Sequence, residues 1–77
     1  MSVVTLYGKP GCHLCDEARA ALAAADVEAM EVDISADPRL AARYGELIPV
    51  VEVDGEEVCR HFVDIEALRR WLGRVGS

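Results

Sequence analysis

The sequence predicts a single α/β domain spanning residues 1–77, a four-stranded mixed sheet flanked by three helices in the order βαβαββα. Three observations carry that prediction. The β-branched and aromatic run "SVVTLYG" at residues 2–8 gives way, from Cys12, to apolar residues at helical spacing. "EAMEVDI" at residues 28–34 then returns to strand alternation, and "IPVVEVDGEEVC" at residues 48–59 holds an Asp-Gly dipeptide between two strand-like runs. A strand, a helix and a strand at this separation form a right-handed βαβ unit with parallel strands, whereas Asp-Gly favours a two-residue turn between antiparallel ones.

Taken in order, the first strand is ended by Gly8 and Pro10, residues that interrupt regular pairing. The first helix places Leu14, Cys15, Ala18, Ala21, Leu22 and Ala25 on one stripe, with Asp16, Glu17 and Arg19 opposite, and is expected to stop near Asp26. In the second strand, Met30, Val32 and Ile34 share one face and Ala29, Glu31 and Asp33 the other. "DPRLAARYG" supplies Asp37 as N-cap, Pro38 at the first helical position and Gly45 as terminator of a short second helix. Val50–Val53 and Glu57–Cys59 form the hairpin around Asp54-Gly55. Asp64 caps a last helix with Ile65, Leu68, Leu72 and Val75 as its apolar stripe and Arg69, Arg70 and Arg74 near its negative end.

A chain of 77 residues buries only about 60–65% of its unfolded surface, so its stability margin is small. Hydrophobic residues make up 52%, but many are alanine, which leaves the core to a few Val, Ile, Leu and Met side chains with Tyr7, Tyr44, Phe62 and Trp71. Net charge is −6 and the basic residues are scattered, which argues against nucleic acid as a partner. The apolar run before Lys9 is too short for a signal peptide's core or a membrane span, so the chain is expected to be cytoplasmic, with no membrane association. A structural disulfide is disfavoured in that compartment, and three cysteines leave one over from any bridge.

Attention therefore falls on "GKPGCHLC" at residues 8–15. Cys12 lies at the start of the first helix, where backbone N–H groups and the macrodipole favour an anion, and thiolate is the nucleophilic form of cysteine. Cys15 follows one turn later, on the apolar stripe, close enough to bridge Cys12 yet less exposed. That division makes Cys12 the attacker and Cys15 the resolving thiol of a dithiol reaction. Lys9 and His13 stand where they would add positive potential; each also reads as an ordinary solvated residue. Ile48 and Pro49 open a strand antiparallel to the first, which brings them to the Cys12 edge of the sheet. Two other readings stay open. Cys12, Cys15, Cys59 and His61 are ligand types that structural zinc prefers, although the strand bearing Cys59 should lie one removed from the first. The chain also reads as an interaction module that kept both thiols but lost its substrate.

The run "LYGKPGCHLC", the βαβαββα order and "IPV" before an Asp-Gly hairpin together resemble the glutaredoxin-like branch of the thioredoxin superfamily, over about residues 3–73. The resemblance implies a thioredoxin-like fold and a thiol–disulfide oxidoreductase with Cys12 as nucleophile, Cys15 as resolving thiol and Pro49 as a cis proline beside them. It also admits an iron–sulfur cluster bridging two subunits. Lys9 matches a basic position that assists glutathione binding in the family. Two departures stand out: His13-Leu14 replaces the usual Pro-Tyr, and "CRHFVD" at residues 59–64 replaces the Gly-Gly and acidic stretch that holds glutathione. Glutathione is thus one possible reductant whose binding motif is not evident. Arg60, at the returning edge, would hold an anionic partner or simply line the rim. The expected partners are a disulfide-containing protein or a glutathione-type substrate and a reductase or thioredoxin system, with the chain acting as a monomer and no cofactor bound.

Overall fold

The computed structural model describes residues 3–75, and within them the elements follow the predicted order: β1 (Val4–Gly8), α1 (His13–Ala24), β2 (Met30–Asp33), α2 (Pro38–Tyr44), β3 (Val50–Val53), β4 (Glu56–Arg60) and α3 (Ile65–Val75). Single 3-10 turns, Ile34–Ala36 and Gly45–Leu47, flank α2. The side chains of Arg74 and Val75, assigned above to the end of α3, lie outside the described residues.

The strand order is β2-β1-β3-β4, with β1 parallel to β2 and antiparallel to β3, and β3 antiparallel to β4. This is the thioredoxin-like α/β arrangement. Asp54 and Gly55 both take positive φ, 51° and 86°, which matches the turn an Asp-Gly hairpin needs to follow the twist of its strands. Val51 faces Cys59 while Glu52 faces Glu57, so β4 carries one extra residue, Val58, as a bulge. Asp37 caps α2 by accepting the Arg39 N–H at 2.8 Å, and Asp64 caps α3 by accepting the Ala67 N–H at 3.1 Å.

Strand alternation divides the interior in two. On one face Val4, Leu6, Val51, Val53 and Cys59 pack with Ala18 and Leu22 of α1 and Leu68 of α3. On the other, Val50 and Ile48 pack with Ile34, Tyr44 and Cys15. Tyr44 is the one buried residue of α2, and its ring stacks on Tyr7 of β1 with centroids 4.3 Å apart. So short a helix covers the sheet around Tyr7 and Val50 and no further.

Three residues depart from the expected core. Met30 is 61% exposed, because it opens the edge strand β2 beyond the reach of α2. Leu14 is 47% exposed: the buried stripe of α1 is Cys15, Ala18 and Leu22, and Leu14 lies about 100° around the helix from Cys15. Phe62 is 65% exposed, since it follows His61, a residue with φ of 71°, in the bend where the chain has left the sheet. Among the described residues no helix is long and apolar enough to cross a membrane.

Candidate active site

Cys12 is the N-cap of α1. Its backbone is extended (φ −91°, ψ 110°), its carbonyl accepts the Asp16 N–H at 3.1 Å, and its Sγ accepts the Cys15 N–H at 3.2 Å. The sulfur thus occupies the place that an Asp or Ser oxygen takes in an ordinary cap, facing the unpaired N–H groups of the first turn. Cys12 is half-buried and Cys15 has no exposed surface, so the two thiols differ in access as their positions on the helix predict. Burial pushes the Cys15 thiol up to about 11; its hydrogen bond with Cys12 adds to this, and the Lys9 backbone and the Arg19 charge oppose it.

Gly8, at the end of β1, makes room for this arrangement. A Cβ there would stand 3.0 Å from Cys15 Sγ and 3.2 Å from its Cβ, closer than side chains pack. On the β2 side, Arg19 bridges Asp16, at 2.7 Å, and Glu31, tying α1 to the edge strand. A groove of about 400 Å³ opens there, bounded by Gly8, Lys9, Cys15, Arg19, Glu31 and Asp33.

Ile48 and Pro49 reach the same edge. The Ile48-Pro49 peptide is cis and both residues are buried, Ile48 in the cluster that contains Cys15 and against which Cys12 packs. The His61 N–H donates to the Leu47 carbonyl at 3.2 Å and to the Pro49 carbonyl at 2.8 Å, so the end of β4 grips this segment. Lys9 is exposed on the loop before Cys12. His13 is exposed in the first turn of α1, with Nε2 3.7 Å from a Glu17 carboxylate oxygen. Arg60 ends β4 with both Nε and Nη2 on the Glu57 carboxylate, at 2.8 and 2.7 Å, which answers its charge locally.

Cys59 lies in the other cluster, facing α1 and α3, with burial raising its thiol above the ordinary value. β3 separates its strand from β1, and among the described residues no three His, Cys, Asp or Glu side chains are placed to hold a metal ion.

Sequence reasoning missed three features here. Gly8 was read only as a strand terminator; its proximity to Cys15 depends on how α1 folds back over β1. His61 in the left-handed region carried a weak signal, since Asn, Asp and His are the non-glycine residues that most often adopt it. Glu52 is 6% exposed and accepts a hydrogen bond from the Tyr44 hydroxyl at 2.6 Å, a burial that nothing local announces.

The chain resembles known proteins in sequence and in structure. The family model of the glutaredoxin-like domain (DUF836) matches residues 3–73. Among solved structures, that of structural-genomics target protein XcR50 from X. campestris is 39% identical, covers 94% of this chain and 97% of its own, and superposes with a TM-score of 0.79. Protein Ne2328 from Nitrosomonas europaea is 26% identical, with 91% and 89% covered and a TM-score of 0.80. A glutaredoxin from Brucella melitensis is 29% identical, with 96% and 80% covered and a TM-score of 0.63. No curated protein sequence matches the chain.

Proposed function

The chain belongs to the glutaredoxin-like domain family, and from that premise we propose that it is a thiol–disulfide oxidoreductase working through the Cys12–Cys15 dithiol. The observation that carries the reading is the N–H of Cys15 donating to Cys12 Sγ at 3.2 Å at the start of α1, beside a partner thiol buried one turn on.

Cys12 as thiolate attacks one sulfur of a substrate disulfide. The substrate S–S bond breaks, a Cys12 mixed disulfide forms, and the other substrate sulfur departs as thiolate and takes up a proton. Cys15 then loses its proton and attacks the Cys12 sulfur, which closes the Cys12–Cys15 disulfide and expels the second substrate thiol. Two electrons have passed from the dithiol to the substrate. Helix geometry holds both sulfurs for the second step, and its orienting effect replaces a bimolecular encounter. Cys15, kept protonated by burial, does not compete with Cys12 for the first attack.

On this reading the substrate is a protein disulfide or a glutathione-type mixed disulfide docking along Ile48 and Pro49. Lys9 and His13, exposed on either side of Cys12 in the chain, contribute to substrate binding, and a reductase or thioredoxin system returns the electrons. Arg60 contributes less to anion binding than its position alone suggests, because Glu57 engages its guanidinium. A cytoplasmic setting fits a dithiol that must be kept reduced.

Titration of the purified protein against glutathione and thioredoxin redox buffers tests the reading. The expected result is a Cys12–Cys15 disulfide with a defined potential, no turnover in Cys12→Ser, and an accumulating mixed disulfide in Cys15→Ser. Absence of the Cys12–Cys15 disulfide at every potential would overturn it, and formation of the disulfide without turnover of any disulfide substrate would identify a silent module.

A further inference from the structure

Glu52 is the most unusual residue of the interior. All four residues of β3 are buried, and three are valines, so a fourth apolar side chain would be the less costly choice at this position. The carboxyl group is directed instead: the Tyr44 hydroxyl donates to its Oε2 at 2.6 Å. Tyr44 is itself fixed by its stack on Tyr7, at 4.3 Å and an interplanar angle of 18°, and by the Arg43 guanidinium 5.2 Å over its ring.

Tyr44 ends α2 and Glu52 lies on β3, so their hydrogen bond closes residues 45–51 into a ring. That ring contains the 3-10 turn Gly45–Leu47, then Ile48, Pro49 and Val50. His61 holds the same ring from the β4 side through the Leu47 and Pro49 carbonyls. Ile48 and Val50 share a buried cluster with Tyr44 and Cys15, and Cys12 packs against it.

We propose that Tyr44 and Glu52 are positioning residues, whose hydrogen bond sets the placement of Ile48–Pro49 against Cys12 and so the affinity for the docking substrate. The proposal deepens the oxidoreductase reading and, in its kinetic part, rests on it. Tyr44 shares a buried cluster with Cys15, but its hydroxyl donates to Glu52; the effect passes through the backbone of residues 45–51.

The test compares Tyr44→Phe, which keeps the ring stack, and Glu52→Leu with Glu52→Gln, which keeps an oxygen to accept from Tyr44. In Tyr44→Phe and Glu52→Leu, amide exchange at His61 should accelerate about tenfold relative to β1 amides, the effect of losing one net hydrogen bond. KM for a disulfide substrate should rise by a similar factor with kcat and the Cys12–Cys15 potential unchanged, and Glu52→Gln should restore most of both. Exchange that accelerates equally across the sheet, or a KM that does not move, would overturn the proposal and leave the pair a purely structural brace. Should the wild-type protein turn over no disulfide, the oxidoreductase reading fails, while the exchange at His61 still decides the clamp. If Tyr44→Phe does not fold, Glu52→Asp, shorter by one methylene, should show the faster His61 exchange that Glu52→Gln does not; equal exchange in the two would overturn the clamp.

Discussion

Gly8 and Cys15 approach so closely that a methyl group on Gly8 would lie 3.0 Å from the Cys15 sulfur. The sulfur is fully buried and on a short side chain, so it has little freedom to give way. Gly8→Ala should therefore cost about 1–3 kcal/mol of stability, the usual penalty for overpacking, and should shift the Cys12–Cys15 potential by displacing one of its sulfurs. Urea denaturation of reduced and oxidised protein measures both. A variant as stable as the parent with an unchanged potential would show that the contact is slack.

On the proposed oxidoreductase reading, the raised Cys15 thiol makes the second step pH-dependent. Burial is the chief cause of the rise to about 11, and burial persists when Cys12 is tied up in a mixed disulfide. Below that value each pH unit multiplies the Cys15 thiolate fraction about tenfold. Release of reduced substrate from the mixed disulfide, followed in single turnover, should accelerate by about one decade per pH unit between roughly pH 6 and pH 9. A release rate that is flat over this range would assign the resolving role to some group other than a buried Cys15 thiol.

Much of the candidate site's placement was legible because its signals are local. Cys12 follows a strand and opens a helix; Asp37-Pro38 and Asp54-Gly55 announce a cap and a turn by their own backbone preferences. What escaped depends on residues distant in the chain. Met30 alternates with its neighbours as a core strand residue should, yet it is exposed because α2, downstream, stops too soon to cover it. Glu52 carries no local sign of burial, and the Tyr44 hydroxyl, from eight residues earlier, donates to it in the interior. Leu14 is exposed because the buried stripe of α1 runs through Cys15, Ala18 and Leu22, and Phe62 because it follows the left-handed His61 beyond the end of β4.

Alkaline pH should weaken the fold. The Cys15 and Cys59 thiols and the Tyr44 phenol are all raised, each chiefly by burial. A group whose folded value is raised holds its proton more tightly in the native state, so its contribution is fully present below the unfolded value and lost as pH climbs through the folded one. For Cys15 the window runs from 9.0, the thiol's ordinary value, to about 11. The urea midpoint of the reduced protein should fall between about pH 9 and about pH 11, and the fall should be smaller in Cys15→Ala. A midpoint that rose over this interval would contradict the direction of all three shifts.

His61 offers a test of the segment that departs from the family's glycine pattern. Its φ of 71° lies in the left-handed region, and this conformation accompanies an N–H aimed at the carbonyls of Leu47 and Pro49. The backbone makes those contacts, and the imidazole is exposed. His61→Gly should therefore keep both hydrogen bonds: relief of the left-handed conformation, about 1–2 kcal/mol for a residue with a Cβ, roughly offsets the chain entropy that glycine adds. His61→Asn, which tolerates the same φ, should be close to neutral. His61→Val has neither freedom nor tolerance and should lose about 1–2 kcal/mol, with faster exchange of its own amide. Thermal denaturation ranks the three. If valine proved as stable as glycine, the left-handed turn at residue 61 would not be what holds β4 against Pro49.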